Sequence, residues 1–284
     1  MTPTRSGPFK CSAVISDVDG TLVTSHDKSL TERAAAAVTA LRQHGIIFTI
    51  ISSRPPNGLR KLSGPLGITT PMGCFNGGAL VGPDLNVIAE HLLSPEVARR
   101  AVAMLGNRGV QAWVFSGQDW LVRDLHAPYV GHEELTLGFA PKKIDDFGRA
   151  LDTAAKIVGV SQDFALLARC ETEGRALLAG QASVARSQQY YLDITDPLAN
   201  KGTALSQIAT LLGVPLAEIA VIGDGGNDVA MFKLGGLSIA MGNASPEVQA
   251  QADCVTESCD NEGFANAIER YILCRAGSAT TRVS

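Results

Sequence analysis

The sequence predicts an α/β fold: a parallel sheet with helices on its faces, interrupted by a separate α+β module. Two observations carry this. Short apolar runs alternate with amphipathic helical stretches at both ends of the chain, which is the pattern of parallel strands joined by crossover helices. Several of those apolar runs also stop abruptly in clusters of acid, hydroxyl and glycine. Ligand sites in open parallel sheets lie beyond the carboxyl ends of the strands, and the clusters Asp17/Asp19, Ser52/Arg54 and Asp224/Asp228 all take that position.

The elements follow in order. Residues 10–16 include Ala13, Val14 and Ile15 and run straight into Asp17, as a buried strand and its loop would. Residues 31–44 read as a helix, with Ala34, Val38 and Leu41 on one face and Gly45 placed to end it. Residues 46–51 form a second strand that Pro55 and Pro56 prevent from continuing. The alternation returns late. Asn200 is a candidate cap for a helix carrying Leu205, Ile208 and Leu212 and ending at Gly213. A buried strand at 219–222, a helix at 227–234, a strand at 237–241, a short helix at 246–252 and a final helix marked by Phe264, Ile268 and Ile272 complete the block.

Gly82-Pro83-Asp84 reads as a turn out of the first block. The next region has strands at 85–89, 111–115, 120–123, 164–168 and 190–194 and helices at 95–105, 145–158 and 173–186. It also holds both tryptophans. Residues 83–194 are therefore expected to be an insertion between core segments 1–82 and 195–284, with a frayed tail over 276–284. Trp113, Trp120, Arg123, His126 and Tyr129 suggest ligand contacts, but aromatic residues on strands more often fill a core.

The chain has 284 residues, 45% hydrophobic and 18% charged, enough to bury a large core. Lys and Arg total 24 against 28 Asp and Glu, a net charge of −4 that lacks the basic surplus of a nucleic-acid binder. No run approaches the roughly 20 apolar residues that span a bilayer. Residues 1–10 have no apolar signal core, so a cytoplasmic location is expected. Six cysteines at 11, 74, 170, 254, 259 and 274 form no Cys-x-x-Cys pair and read as reduced thiols.

The chemistry concentrates in four places. Asp17-Val18-Asp19-Gly20-Thr21 offers two carboxylates at a strand end, one able to attack an electrophile and the other to exchange a proton. As a calcium loop it would want glycine sixth and glutamate twelfth, where Leu22 and Lys28 stand. Gly223-Asp224-Gly225-Gly226-Asn227-Asp228 combines hard oxygen ligands with glycines that admit close backbone approach; a glycine-rich turn with an Asn cap is an equal alternative. Lys201 adds an ammonium at a predicted helix start, where backbone donors already suit phosphate. Ser52 supplies a hydroxyl after the second strand.

Together and in this order, these motifs resemble the haloacid dehalogenase-like (HAD) phosphohydrolases, in particular their Cof-type (IIB), sugar-phosphatase-like branch. Asp17-x-Asp19-Gly20-Thr21 matches the first motif, Ser52 the second, Lys201-Gly202 the third and Gly223-Asp224-Gly225-x-Asn227-Asp228 the fourth. The resemblance implies a Rossmann-like core with an inserted C2-type cap. It implies Asp17 as nucleophile, forming an aspartyl-phosphate, and Asp19 as general acid and then base. It implies Mg²⁺ held by Asp17, the Asp19 carbonyl and Asp224, with Asp228 holding the metal's surroundings. Ser52 and Lys201 would grip the phosphoryl group, with Asn227 at the same mouth. The branch's Thr-Gly-Arg is here Ser52-Ser53-Arg54, so Ser53 stands where a glycine would make a backbone contact. Asn76-Gly77-Gly78 resembles the branch's Asn-Gly-Ala segment.

Charge arithmetic supports a divalent cation independently. Asp17, Asp19, Asp224 and Asp228 bring −4, or −3 with Asp19 protonated, and Lys201 brings this to −2, before a phosphate dianion docks. At ~4 Å and an effective dielectric of ~20 each unit pair is worth roughly 4 kcal/mol, and magnesium accepts the combination of carboxylates, waters and phosphate oxygen. The expected function is a Mg²⁺-dependent phosphatase acting on a small phosphorylated metabolite, a sugar phosphate or similar. Two alternatives stand beside it: a phosphotransferase or phosphomutase of the same superfamily, and a non-catalytic binder of a phosphorylated ligand.

Overall fold

A computed structural model describes residues 9–274. The expected frayed tail at 276–284 and residues 1–8 lie outside the described residues. The chain divides into two compact units. One comprises the chain up to Ser52, Leu62–Met72 and the chain from Lys201; the other comprises Ser53–Lys61 and Gly73–Asn200.

The first unit is built on a five-stranded sheet ordered Cys254–Val255, Leu237–Ala240, Ile219–Gly223, Ala13–Ser16, Ile47–Ile50, with every neighbouring pair parallel. Its central strands are wholly buried, which explains why they read as unbroken apolar runs. The helix Glu32–Gln43 starts where the Thr31 side chain accepts from the Ala34 N–H and buries Ala34, Ala37, Val38 and Leu41. It stops before Gly45, whose φ of 72° is the left-handed conformation glycine adopts freely. Helix Lys201–Leu212 buries Ala204, Leu205, Ile208 and Ala209, and with them Lys201 itself. The chain leaves Ala13–Ser16 toward Ile47–Ile50 on one side, and Ile219–Gly223 later packs on the other. From the two central strands the chain thus runs on toward opposite edges of the sheet, which makes their shared end the switch point at which such sheets bind ligands.

The second unit contains a six-stranded sheet ordered Ser183–Gln188, Tyr191–Thr195, Ala154–Val160, Gln111–Ser116, Asp119–Val122, Lys142–Lys143. It is antiparallel except for its last pair. Helices Pro95–Asn107 and Phe164–Leu177 supply Val97, Ala101, Leu105 and Leu167 to one core with Val114, Ile157 and Leu192 from the sheet. Trp113 and Trp120 are buried with ring centroids 5.1 Å apart, a packing role, while Arg123 and His126 are exposed. The turn at 82–84 closes a hairpin between Ala79–Val81 and Val87–Glu90.

Three expectations in this region were wrong. Residues 145–158 are not a helix: a 3-10 turn, Gly148–Thr153, leads into the strand Ala154–Val160, buried along its whole length. A fully buried strand has no alternation, so its apolar run cannot be told from a buried helix by period. Residues 164–168 are the first turn of helix Phe164–Leu177, capped by Asp163, whose side chain accepts from the Leu166 N–H. The helix expected over 173–186 accordingly ends at Leu177, and Ser183–Gln188 is an edge strand with Val184 alone buried. Pro55-Pro56 ends the second strand as expected but also opens a helix, Pro56–Ser63, where proline's missing N–H costs nothing. The helix expected at 227–234 contracts to Val229–Phe232.

Candidate active site

The site forms at the ends of the two central strands of the first unit. Ser16 is in register with Ile222, and the Asp17 N–H donates to the Ile222 carbonyl at 2.9 Å, so Asp17 and the Gly223-Asp224 loop leave the sheet side by side. The next residues turn tightly. The N–H groups of Leu22 and Val23 both donate to the Val18 carbonyl, and Gly20 takes φ of 82°. A Cβ on Gly20 would lie 2.3 Å from Asp224 Oδ2, so the two loops touch where Gly20 lacks a side chain.

Lys201 reaches into this crevice from the first turn of its helix. Its Nζ donates to Asp17 Oδ1 at 2.5 Å and to Asp228 Oδ1 at 2.6 Å, all three side chains being buried. Asp228 Oδ2 accepts from the N–H groups of Asp224 and Gly225, at 2.9 and 2.8 Å, which curls the glycine-rich loop around it. Thr21 Oγ1 donates to Asp224 Oδ1 at 3.1 Å.

Burial raises the Asp17 pKa well above the ordinary aspartate value, with Asp228 and Asp224 adding to the rise and Lys201 opposing it. Burial and Asp228 likewise raise Asp224. For Lys201 burial works against the charge, but Asp17 and Asp228 outweigh it and hold its pKa above the usual lysine value. Burial is the largest cause of both carboxylate rises, and the neighbouring carboxylates add to it.

The donor set tests whether a divalent cation fits. Asp17, Asp224 and Asp228 offer carboxylate oxygens lying within 4.8 Å of one another, a hard, all-oxygen donor set of the kind magnesium takes. The neighbouring carboxylate charge that adds to the rise in Asp17 and Asp224 is charge a dication would neutralise. The residues fit.

The remaining candidates are placed as follows. Asp19 is half-buried, with Lys28 Nζ 4.0 Å from its Oδ1. Ser52 is buried just past the second strand, where Ile51 N–H still bonds the Ser16 carbonyl. Asn227 is exposed, its Oδ1 over Gly225, where a Cβ would approach it to 2.4 Å. Ser53 and Arg54 fall in the second unit, where the Arg54 carbonyl accepts from the Phe75 N–H. Asn76 also belongs there, in the left-handed run Phe75, Asn76, Gly77.

Asn243 escaped the sequence reading. Its Nδ2 donates to the Gly20 carbonyl at 2.9 Å and to Asp224 Oδ2 at 3.1 Å. The signal that could have found it is its place just beyond the strand Leu237–Ala240, a fourth polar residue at a strand end.

A buried lysine between two aspartates, beside a third, stands at the switch point of a parallel sheet. A family model described as haloacid dehalogenase-like hydrolase matches residues 14–268. A putative phosphatase of Haemophilus influenzae is 26% identical over 263 residues, covering 90% of this chain and 97% of its own. A phosphoglycolate phosphatase of Archaeoglobus fulgidus is 28% identical over 270 residues, covering 94% and 100%. The crystal structure of a haloacid dehalogenase-like hydrolase from Bacteroides thetaiotaomicron superposes with a TM-score of 0.84 at 29% identity, covering 92% of this chain and 99% of that one. The chain belongs to the haloacid dehalogenase-like hydrolases. Within that family it is of the Cof type, and it is a phosphoric monoester hydrolase. No helix among the described residues is long and apolar enough to cross a membrane.

Proposed function

We propose that this phosphatase depends on Mg²⁺ and hydrolyses a small phosphorylated metabolite, a sugar phosphate being the leading class, through an aspartyl-phosphate on Asp17. The observation that carries the reading is the convergence of Asp17, Asp224 and Asp228 within 4.8 Å around the Lys201 ammonium. Relatives named for phosphoglycolate and HMP-PP support a small substrate.

In this reading an Asp17 carboxylate oxygen attacks phosphorus while the bond to the leaving oxygen breaks, and Asp19 gives that oxygen its proton. Asp19 then takes a proton from water as the water attacks the phosphorus. Inorganic phosphate leaves and Asp17 is restored. Lys201 has two tasks: it opposes the rise that burial gives the Asp17 pKa, and its charge opposes that of the arriving phosphoryl group. Ser52 and Asn227 bind the phosphoryl oxygens, with Ser53 and Arg54 as further candidates from the same motif. Asp17, the Asp19 carbonyl and Asp224 would hold Mg²⁺, with Asp228 supporting them, and the ion would supply Lewis-acid charge neutralisation. Uncatalysed phosphomonoester hydrolysis is among the slowest of reactions, so these groups must jointly supply on the order of 20 kcal/mol. The inserted module, read as residues 83–194, is assigned to leaving-group selection. Cysteines kept as thiols suit a cytoplasmic location.

The test is steady-state phosphate release from a panel of phosphorylated sugars, nucleotides and carboxylic acids with Mg²⁺ present. Turnover should vanish with chelator and in Asp17→Asn. Chelator-insensitive turnover would sink the metal, and full activity in Asp17→Asn would sink the nucleophile.

A further inference from the structure

Asn243 lies outside every motif that marks the site, yet it ties three segments of the site together. Its Nδ2 donates to the Gly20 carbonyl and to Asp224 Oδ2, and its Oδ1 accepts from the Cys259 N–H at 2.9 Å. The third bond sets the amide's orientation, because only the oxygen can accept from a backbone N–H. Next along the chain, Asp260 accepts from the N–H of Ser25 at 2.8 Å and from its hydroxyl at 2.5 Å. The segment that anchors Asn243 therefore also clasps the loop that follows Thr24.

The consequence falls on Asp224. One of its oxygens has the Thr21 hydroxyl as donor and the other has Asn243. A donor on each oxygen fixes the plane of a carboxylate that could otherwise turn about its Cβ–Cγ bond. Asn243 is itself exposed, so apolar burial does not explain why so many bonds converge on it.

We propose that Asn243 is a positioning residue for the metal site: it fixes the direction in which Asp224 presents its carboxylate and holds the turn at Gly20 against it. The inference rests on the magnesium-dependent reading above. Groups that orient a metal ligand typically change metal affinity 10–100-fold when removed.

The experiment measures binding of Mn²⁺, used as a paramagnetic stand-in for Mg²⁺, by the loss of its free-ion resonance. The proteins are wild type, Asn243→Ala and Asn243→Ser, each checked for fold by circular dichroism. The dissociation constant should rise about 10–100-fold in N243A and less in N243S, which keeps one donor. KM for the phosphorylated substrate at saturating Mg²⁺ should stay within about twofold, because the binding contacts to substrate are untouched. A folded variant that holds Mn²⁺ as tightly as wild type overturns the proposal, and so does loss of fold in both variants, which would make the residue structural. Wild-type protein that binds no Mn²⁺ and needs no Mg²⁺ would instead remove the reading beneath it.

Discussion

Lys201 Nζ lies 2.5 Å from Asp17 Oδ1, although 184 positions separate the two residues in the chain and neither side chain is appreciably exposed. An ammonium so placed would be costly to bury alone; shared with Asp228 it becomes the cation that permits three aspartates to meet.

Removing that cation by Lys201→Met leaves Asp17 and Asp228 buried without their partner. Breaking a buried pair costs about 3–5 kcal/mol, and the low end is expected because Asp17, already raised, can take up a proton. Denaturant unfolding of the metal-free variant should show that loss, and turnover should fall by on the order of 10²-fold or more. A variant as stable and active as wild type would contradict the role given to Lys201.

Gly20 and Gly45 offer a matched pair. Both have positive φ, 82° and 72°, but a Cβ on Gly20 meets Asp224 Oδ2 at 2.3 Å while one on Gly45 meets nothing within 4 Å. Gly45→Ala should cost about 1 kcal/mol of backbone strain and leave turnover intact. Gly20→Ala should carry the same strain and also lower kcat/KM about 100-fold by displacing Asp224. Equal activity in the two variants would refute the close approach.

Mg²⁺ should raise the stability of the folded protein by about 2.7 kcal/mol at a hundredfold excess over its dissociation constant, read as a shift in melting temperature. The shift should be absent in Asp224→Asn. It should also shrink as pH is lowered, since burial raises Asp17 and Asp224 and protons then occupy the oxygens the ion needs.

Glu257 predicts a separate pH effect. Its carboxyl is held down to about 2, first by Arg270 at 2.8 Å and also by Thr256 and Asn266. A depressed pKa stabilises the fold above the ordinary glutamate value of 4.5, and that stability is lost as pH falls toward about 2. The difference in urea midpoint between wild type and Glu257→Gln should therefore be constant near neutrality and close on acidification. A difference that persists unchanged at low pH would be inconsistent with this pairing.

The core strands were legible because a strand buried on both faces must be an apolar run, and Ser16-Asp17 and Ile222-Gly223-Asp224 break that run sharply. Helix Glu32–Gln43 was legible because its cap, Thr31, and its stop, Gly45, are local signals. The same logic fails at Ala154–Val160, where burial erases the period that distinguishes strand from helix, and at Phe164–Leu177, where the Asp163 cap is the local signal that marks a helix start.

By itself, then, the chain's order of residues determined four of the five strands of the central sheet, Cys254–Val255 excepted, and which polar groups stand at their ends, since hydrophobic run length and capping act over a few neighbours. Only the tertiary structure decided the partners: that Lys201 sits between Asp17 and Asp228, that Gly20 abuts Asp224, and that Asn243 bonds Gly20, Asp224 and Cys259. Those contacts join residues up to 223 positions apart. They depend on the order in which parallel strands pack, which no local preference encodes.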